Sequence, residues 1–203
     1  MNTLDVLSPI DLRNQVDACE WAREANVKRP WRYDFFDCYV QLINERKAHS
    51  ILELGSGPGF LAAHVLQQCS DVNYTLFDFS AAMHQIAEDR LKVFSQQTHY
   101  LVGDFKQPNW QQNLLRYDLI IIHQALHELR HKNYATEFHR TIKSLLTPTG
   151  CYIVCDHLCA IDGMQNDQLY MTAHEHQDAL ISAGFQSITL LMQKHALAAY
   201  VCH

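Results

Sequence analysis

The sequence is short of the features that would carry it to a membrane or a nucleic acid. No apolar run approaches the ~20 residues that span a bilayer, so no membrane segment is expected. The opening residues Met1-Asn2-Thr3-Leu4-Asp5 have neither the basic start nor the apolar core of a secretory leader, which makes a cytoplasmic location the default expectation. The net charge is −6, and the one dense basic cluster is Lys28-Arg29-Pro30-Trp31-Arg32. Tracking a phosphate backbone asks for more positive surface than this, which argues against DNA or large RNA as a substrate. Cys19, Cys38, Cys69, Cys151, Cys155, Cys159 and Cys202 include no C-x-x-C pair, and their number is odd. Reduced core thiols are therefore expected rather than a disulfide framework. Cys151, Cys155 and Cys159 recur every four residues, but the first two fall on an expected strand, where packing accounts for them. Internal repeats, low-complexity tracts and linkers are also missing, and nothing speaks to oligomeric state.

What is present suits one domain. The chain has 203 residues, 48% of them hydrophobic and 19% charged, enough for a sizeable core. Helical periodicity is read from about Pro9 to Asn26, with Leu12, Val16, Cys19 and Ala22 on the apolar side, and again from Tyr33 to Glu45. Strands and helices then alternate. Strand 51–54 precedes helix 60–68. Strand 74–77 precedes a helix from Ala81 to about Phe94, with Ser80 as N-cap. Strands 100–102 and 119–122 follow, then a helix from Lys132 to Leu145 and strand 151–155. The continuous β-branched run at 119–122 fits a strand covered on both faces. After a loop from Asp156 to Met171, Thr172-Ala173-His174-Glu175 reads as a capping box whose helix stops at Gly184. His174 and His176 are expected in its solvated first turn. The runs 186–192 and 196–201 lie too close for a crossover and should form an antiparallel hairpin. The expected fold is a three-layer α/β/α sandwich: a mostly parallel seven-stranded sheet with a C-terminal antiparallel hairpin strand, and two helices before it.

The most informative stretch is Ile51-Leu52-Glu53-Leu54-Gly55-Ser56-Gly57-Pro58-Gly59-Phe60. Its glycines let a ligand approach bare backbone. The dinucleotide fingerprint G-x-G-x-x-G needs a third glycine where Phe60 stands. A carboxylate at Glu53 would repel a pyrophosphate but accept an ammonium group or ribose hydroxyls. The pattern E-x-G-x-G-x-G resembles the first motif of the Rossmann-like, class I S-adenosylmethionine (SAM) methyltransferases. The order of later motifs extends the resemblance over roughly residues 51–203: Asp78 about twenty residues on, Gly103-Asp104 after the third strand, and Tyr117-Asp118 with its apolar run into His123-Gln124-Ala125-Leu126-His127-Glu128.

The resemblance implies SAM as cofactor and S-adenosylhomocysteine (SAH) as product, held by Glu53, Gly55, Ser56 and Gly57. Asp78 would take the ribose hydroxyls, Phe79 and Met83 the purine face, Asp104 and Phe105 the adenine edge, and His123 a place beside the cofactor. It implies one domain over residues 1–203, with 1–47 as a helical lid and 48–203 as the core. The Asn/Asp-Pro-Pro-aromatic turn of enzymes that methylate base or glutamine amines is absent, which favours a small-molecule acceptor. His127 is the candidate general base. Arg32, Tyr33 and His157 are candidate acceptor contacts, and an arginine there would favour a carboxylate or phosphate on the acceptor.

Three alternatives stay open at this stage. The same fold can serve as a SAM-binding regulatory or assembly module without turnover. The glycine loop allows a nicotinamide-dependent oxidoreductase. Finally, His127-Glu128-Leu129-Arg130-His131 matches the H-E-x-x-H zinc-hydrolase pattern, which needs both histidines on one helical face.

Overall fold

The computed structural model describes residues 4–203; Met1, Asn2 and Thr3, read above for a leader, lie outside the described residues. Its strands are β1 (Ser50–Leu54), β2 (Asn73–Asp78), β3 (Thr98–Val102), β4 (Tyr117–His123), β5 (Leu146–His157), β6 (Ile188–Lys194) and β7 (Leu197–Cys202). The α-helices are α1 (Gln15–Lys28), α2 (Arg32–Arg46), α3 (Phe60–Gln68), α4 (Ala81–Arg90), α5 (Ala135–Ser144) and α6 (Ala173–Ser182). The strands make a seven-stranded mixed sheet in the order β3-β2-β1-β4-β5-β7-β6, the α/β fold expected from the sequence. No helix among the described residues is long and apolar enough to cross a membrane.

The chain groups into two compact units. Pro9–Asp104 carries α1–α4 and β1–β3. Here β1 pairs parallel with β2, and β2 with β3, while α4 packs on β2 and β3, α1 on α4, and α2 on α3. Ile51, Leu52 and Leu54 of β1 are fully buried. α1 starts later than the periodicity suggests, because Asn14 caps it: its Oδ1 accepts from Val16 N at 2.8 Å. The inward face also differs. Ala18 and Ala25 are buried, Val16 is 72% exposed and Cys19 is exposed. Small alanines allow α1 to approach α4, where Ala18 packs with Ala82 and Met83, flanked by Leu12 and Trp21.

The other unit is Phe105–His203 together with residues 4–8. β4 pairs parallel with β5, which pairs antiparallel with β7, and β7 with β6. Leu119–Ile122 are at most 1% exposed, as a doubly covered strand requires. β5 begins earlier than read, at Leu146; a register shift between Tyr117 and Leu119 of β4 lets it accommodate Pro148, which has no N–H for the ladder. The capping box at Thr172 and Glu175 is present. It fixes the start of α6 so that His176 turns inward at 2% exposure, with its ring stacked on Tyr200 at 5.9 Å, against the solvated position expected for it. All seven cysteines are free thiols, and Cys151 and Cys155 are buried in β5.

Candidate functional site

In the first unit the glycine loop follows β1 and is tied to the end of β2. Gly55 N and Ser56 N both donate to Phe77 O, at 2.8 and 3.2 Å. Gly57 N donates to Asp78 Oδ2 at 2.7 Å, and Ser80 N to Asp78 Oδ1 at 2.8 Å. One carboxylate therefore clamps the loop and the entry to α4, while Ser80 Oγ accepts from Met83 N as the N-cap. Gly57 has φ +53°, and a Cβ added there would meet nothing within 4 Å. Its role is thus conformational, and it leaves bare backbone beside open space. Beneath the loop, Arg90 donates to Pro58 O and lies 3.8 Å from the centroid of Phe60. Phe60, in the place of a third glycine, is the platform for that brace.

The acidic residues occupy distinct environments. Glu53 is 4% exposed, and its Oε2 accepts from the Tyr74 hydroxyl at 2.9 Å. Burial pushes its carboxyl up to about 8 and Asp78 adds to the rise, while the Tyr74 bond and the charge of Arg32 oppose it. Arg32, in the first turn of α2, is 4% exposed and lies 5.8 Å from the Phe60 centroid. Tyr33 OH accepts from Asn26 Nδ2 at 3.0 Å. Asp104 pairs with Arg13 at 3.6 Å, and the same guanidinium sits 4.6 Å over Phe79, so Arg13 joins two of the residues expected at an adenine. Met83 is 1% exposed and packs toward α1. Ser56 Oγ lies 3.3 Å from His84 Nε2, an imidazole that burial pushes down to about 4.

In the second unit, Phe105 is 8% exposed and packs with Phe138 and Trp110. His123 ends β4 opposite Cys155. The chain then turns through Gln124, φ +56°, into a 3-10 turn, Leu126–Leu129. Buried Leu126 and Leu129 anchor that turn and present His127. His127 Nδ1 lies 2.8 Å from Asp156 Oδ1, and His127 N donates to Asp156 Oδ2 at 2.7 Å. Asp156 Oδ1 also accepts from His157 N at 2.7 Å. A carboxylate on Nδ1 fixes the N–H there and leaves Nε2 with the lone pair. Burial would lower the His127 pKa, but the Asp156 charge and hydrogen bond, with Glu128, hold it above the ordinary value. For Asp156, burial pulls upward and is outweighed by His127, which holds the carboxyl well below the usual range.

His157 lies 3.0 Å from Gln124 Nε2, and the Tyr170 ring is 5.3 Å from that of His127. A small cavity is lined by His127, Asp156, His157, Tyr170, Met171 and His176. The zinc-type helix is not formed: the turn is 3-10, Arg130 adopts φ +68°, and His131 Nδ1 accepts from Asn133 N. Among the described residues no three His, Cys, Asp or Glu side chains are grouped to hold a metal.

The structure thus brings Glu53, Gly55, Ser56, Gly57 and Asp78 together in one unit, and His127 and His157 together in the other through Asp156. Asp156 as the partner of His127, the Arg13 contact and the neighbours Glu128 and Arg130 were not assigned from sequence. Only Asp156 had a usable signal, its position at the end of the fifth strand.

A family model described as "Methyltransferase domain" matches residues 52–152. The chain is 32% identical over 122 residues to a non-reducing polyketide synthase, trt4, of Aspergillus terreus; the match covers 58% of the chain and 5% of that synthase. Human N-acetylserotonin methyltransferase, solved with SAM, superposes with a TM-score of 0.72 at 19% identity, covering 95% of the chain and 57% of the human one. A SAM-dependent methyltransferase from Clostridium acetobutylicum gives 0.69 at 12% identity, covering 91% and 98%. The chain therefore spans a small fraction of the synthase and somewhat over half of the human enzyme.

Proposed function

We propose that this chain, a member of the SAM-dependent methyltransferase superfamily by its methyltransferase domain, binds SAM and transfers its methyl group to a small-molecule acceptor, releasing SAH. The observation that carries the reading is the glycine loop clamped by Asp78, with bare backbone at Gly57 beside open space. The residues present fit the cofactor: Glu53 and the loop would hold its amino-acid part, Asp78 its ribose, and Phe79 and Asp104 its adenine. SAM supplies an electrophilic methyl on a sulfonium, so the protein's task is to hold, align and exclude water.

For an acceptor with a proton to lose, His127 Nε2 takes that proton. Asp156 keeps the Nδ1–H pointing inward and stabilises the imidazolium that results. The names of the polyketide synthase and the N-acetylserotonin methyltransferase support a small-molecule acceptor. The test is SAH formation across a panel of phenols and β-keto compounds, with wild type and His127→Ala compared. Product made by wild type and lost in the variant, with SAM affinity unchanged, supports the reading. SAM binding without product from any compound favours a binding module.

A further inference from the structure

The proposed base has a second acidic neighbour. His127 Nε2 lies 3.5 Å from Glu128 Oε1, longer than a good N–H···O hydrogen bond. The other oxygen, Oε2, accepts from Arg130 Nη1 at 3.3 Å. Arg130 is only 6% exposed and is fixed by the N-terminal segment. Its Nε donates to Val6 O at 2.8 Å and its Nη2 to Leu7 O at 2.8 Å, while Val6 N donates back to Arg130 O at 2.8 Å. The φ of +68° at Arg130, uncommon for a long side chain, ends the turn and lets the side chain hold Val6 and Leu7 while the carbonyl accepts from Val6. Asp5 is in turn paired with Lys106 at 3.9 Å.

We propose that Arg130 is a positioning residue: held by the Val6 and Leu7 carbonyls, its guanidinium keeps the Glu128 carboxylate off His127 Nε2, leaving that nitrogen open to the acceptor's proton. The inference rests on the reading of His127 as base and adds the device that keeps the base available. A rigid planar fork suits this task, since it can satisfy two carbonyls and a carboxylate at once. The groups around the imidazole are Asp156 and His157 from β5, Tyr170 from the loop after it, His176 from α6, Lys132 and His131 beyond the turn, and Glu128 and Arg130 within it. Of these, Asp156 and Glu128 raise the His127 pKa, and Arg130 opposes them.

The experiment combines an NMR titration of the His127 ring with pH profiles of kcat/KM for wild type, Arg130→Gln, Glu128→Gln and the double variant. Arg130→Gln frees Glu128 to bind Nε2. The titration midpoint and the acid limb should both rise by about one pH unit, which costs about tenfold in activity below the limb. Glu128→Gln should lower the midpoint, and the double variant should fall back most of the way to the Glu128→Gln profile, the remainder being the direct effect of the Arg130 charge; a merely structural arginine would not give that rescue. An unmoved titration in Arg130→Gln, or a double variant as impaired as Arg130→Gln, overturns the inference. Should Arg130→Gln not fold, Glu128→Gln decides alone, and an unmoved midpoint overturns it. Wild-type turnover in His127→Ala overturns the base reading and this inference together; an unmoved titration with His127→Ala inactive overturns this inference only.

Discussion

Asp156 Oδ1 lies 2.8 Å from His127 Nδ1, and the other oxygen of the same carboxylate takes the His127 backbone N–H at 2.7 Å. One buried acid thus sets both the position and the tautomer of the imidazole, from 29 residues away in sequence. Asp156→Asn should lower the His127 pKa, because its strongest source of positive shift is gone. It should also reduce kcat by about 10²–10⁴-fold, the usual worth of a positioned base, with little change in SAM affinity. A pH profile of kcat with parallel calorimetry checks this; a simultaneous loss of SAM binding would count against it.

Glu53 gives a proton linkage. Its carboxyl, raised to about 8 by burial, is largely protonated in the free protein at pH 7. If the cofactor's ammonium group docks beside it, the carboxylate form is favoured and binding releases up to about one proton. Calorimetry of SAM binding in buffers of different ionisation enthalpy measures the number. Glu53→Gln should abolish the release.

The same groups shape stability against pH. A raised carboxyl such as Glu53 binds its proton more tightly in the folded state, so its contribution is greatest near pH 4 and falls as pH rises toward 8. His127, also raised, contributes fully below about 6.5 and loses that contribution as pH climbs through its folded value. Asp156, depressed, contributes above about 3.9 and loses it as pH falls. Together these three groups contribute most at about pH 4–4.5, and their summed contribution falls as pH rises toward about 8. Thermal scans from pH 4 to 9 check this, and Glu53→Gln should flatten the alkaline decline.

Gly57→Ala isolates the loop. At φ +53° with nothing within 4 Å of the added methyl, the cost is conformational, about 1–2 kcal/mol. The variant should fold with a Tm lower by several degrees. Its methyl group faces the open side of the loop, so SAM affinity should drop by more than tenfold. Denaturant melts and calorimetry separate the two effects.

Thr172→Ala serves as a contrast outside the site. It breaks the capping box of α6 and should cost about 1 kcal/mol of stability with kcat unchanged.

Local chemistry made much of this legible beforehand. α3 runs from Phe60 to Gln68 as read, and the β-branched run at 119–122 is a buried strand, because both are set by neighbours in sequence. The glycine loop and Asp78 were readable for the same reason: one βα unit separates them. The less legible parts are long-range. α1 shows α4 an alanine face rather than the Val16–Cys19 face, because close packing favoured small residues. His176 turned inward through helix phase set four residues earlier at Thr172. Arg32 reads from sequence as a candidate acceptor contact at a helix break, yet it is 4% exposed and its charge acts on Glu53. The Asp156–His127 and Arg130–Val6 contacts join segments whose pairing no local pattern encodes.

The most direct test of the central claim is a calorimetric titration of the protein with SAM, SAH and NAD. One-to-one binding of SAM and SAH and none of NAD is the expected result, with both affinities reduced in Gly57→Ala. Binding of NAD, or no binding of SAM and SAH to the folded protein, would contradict it.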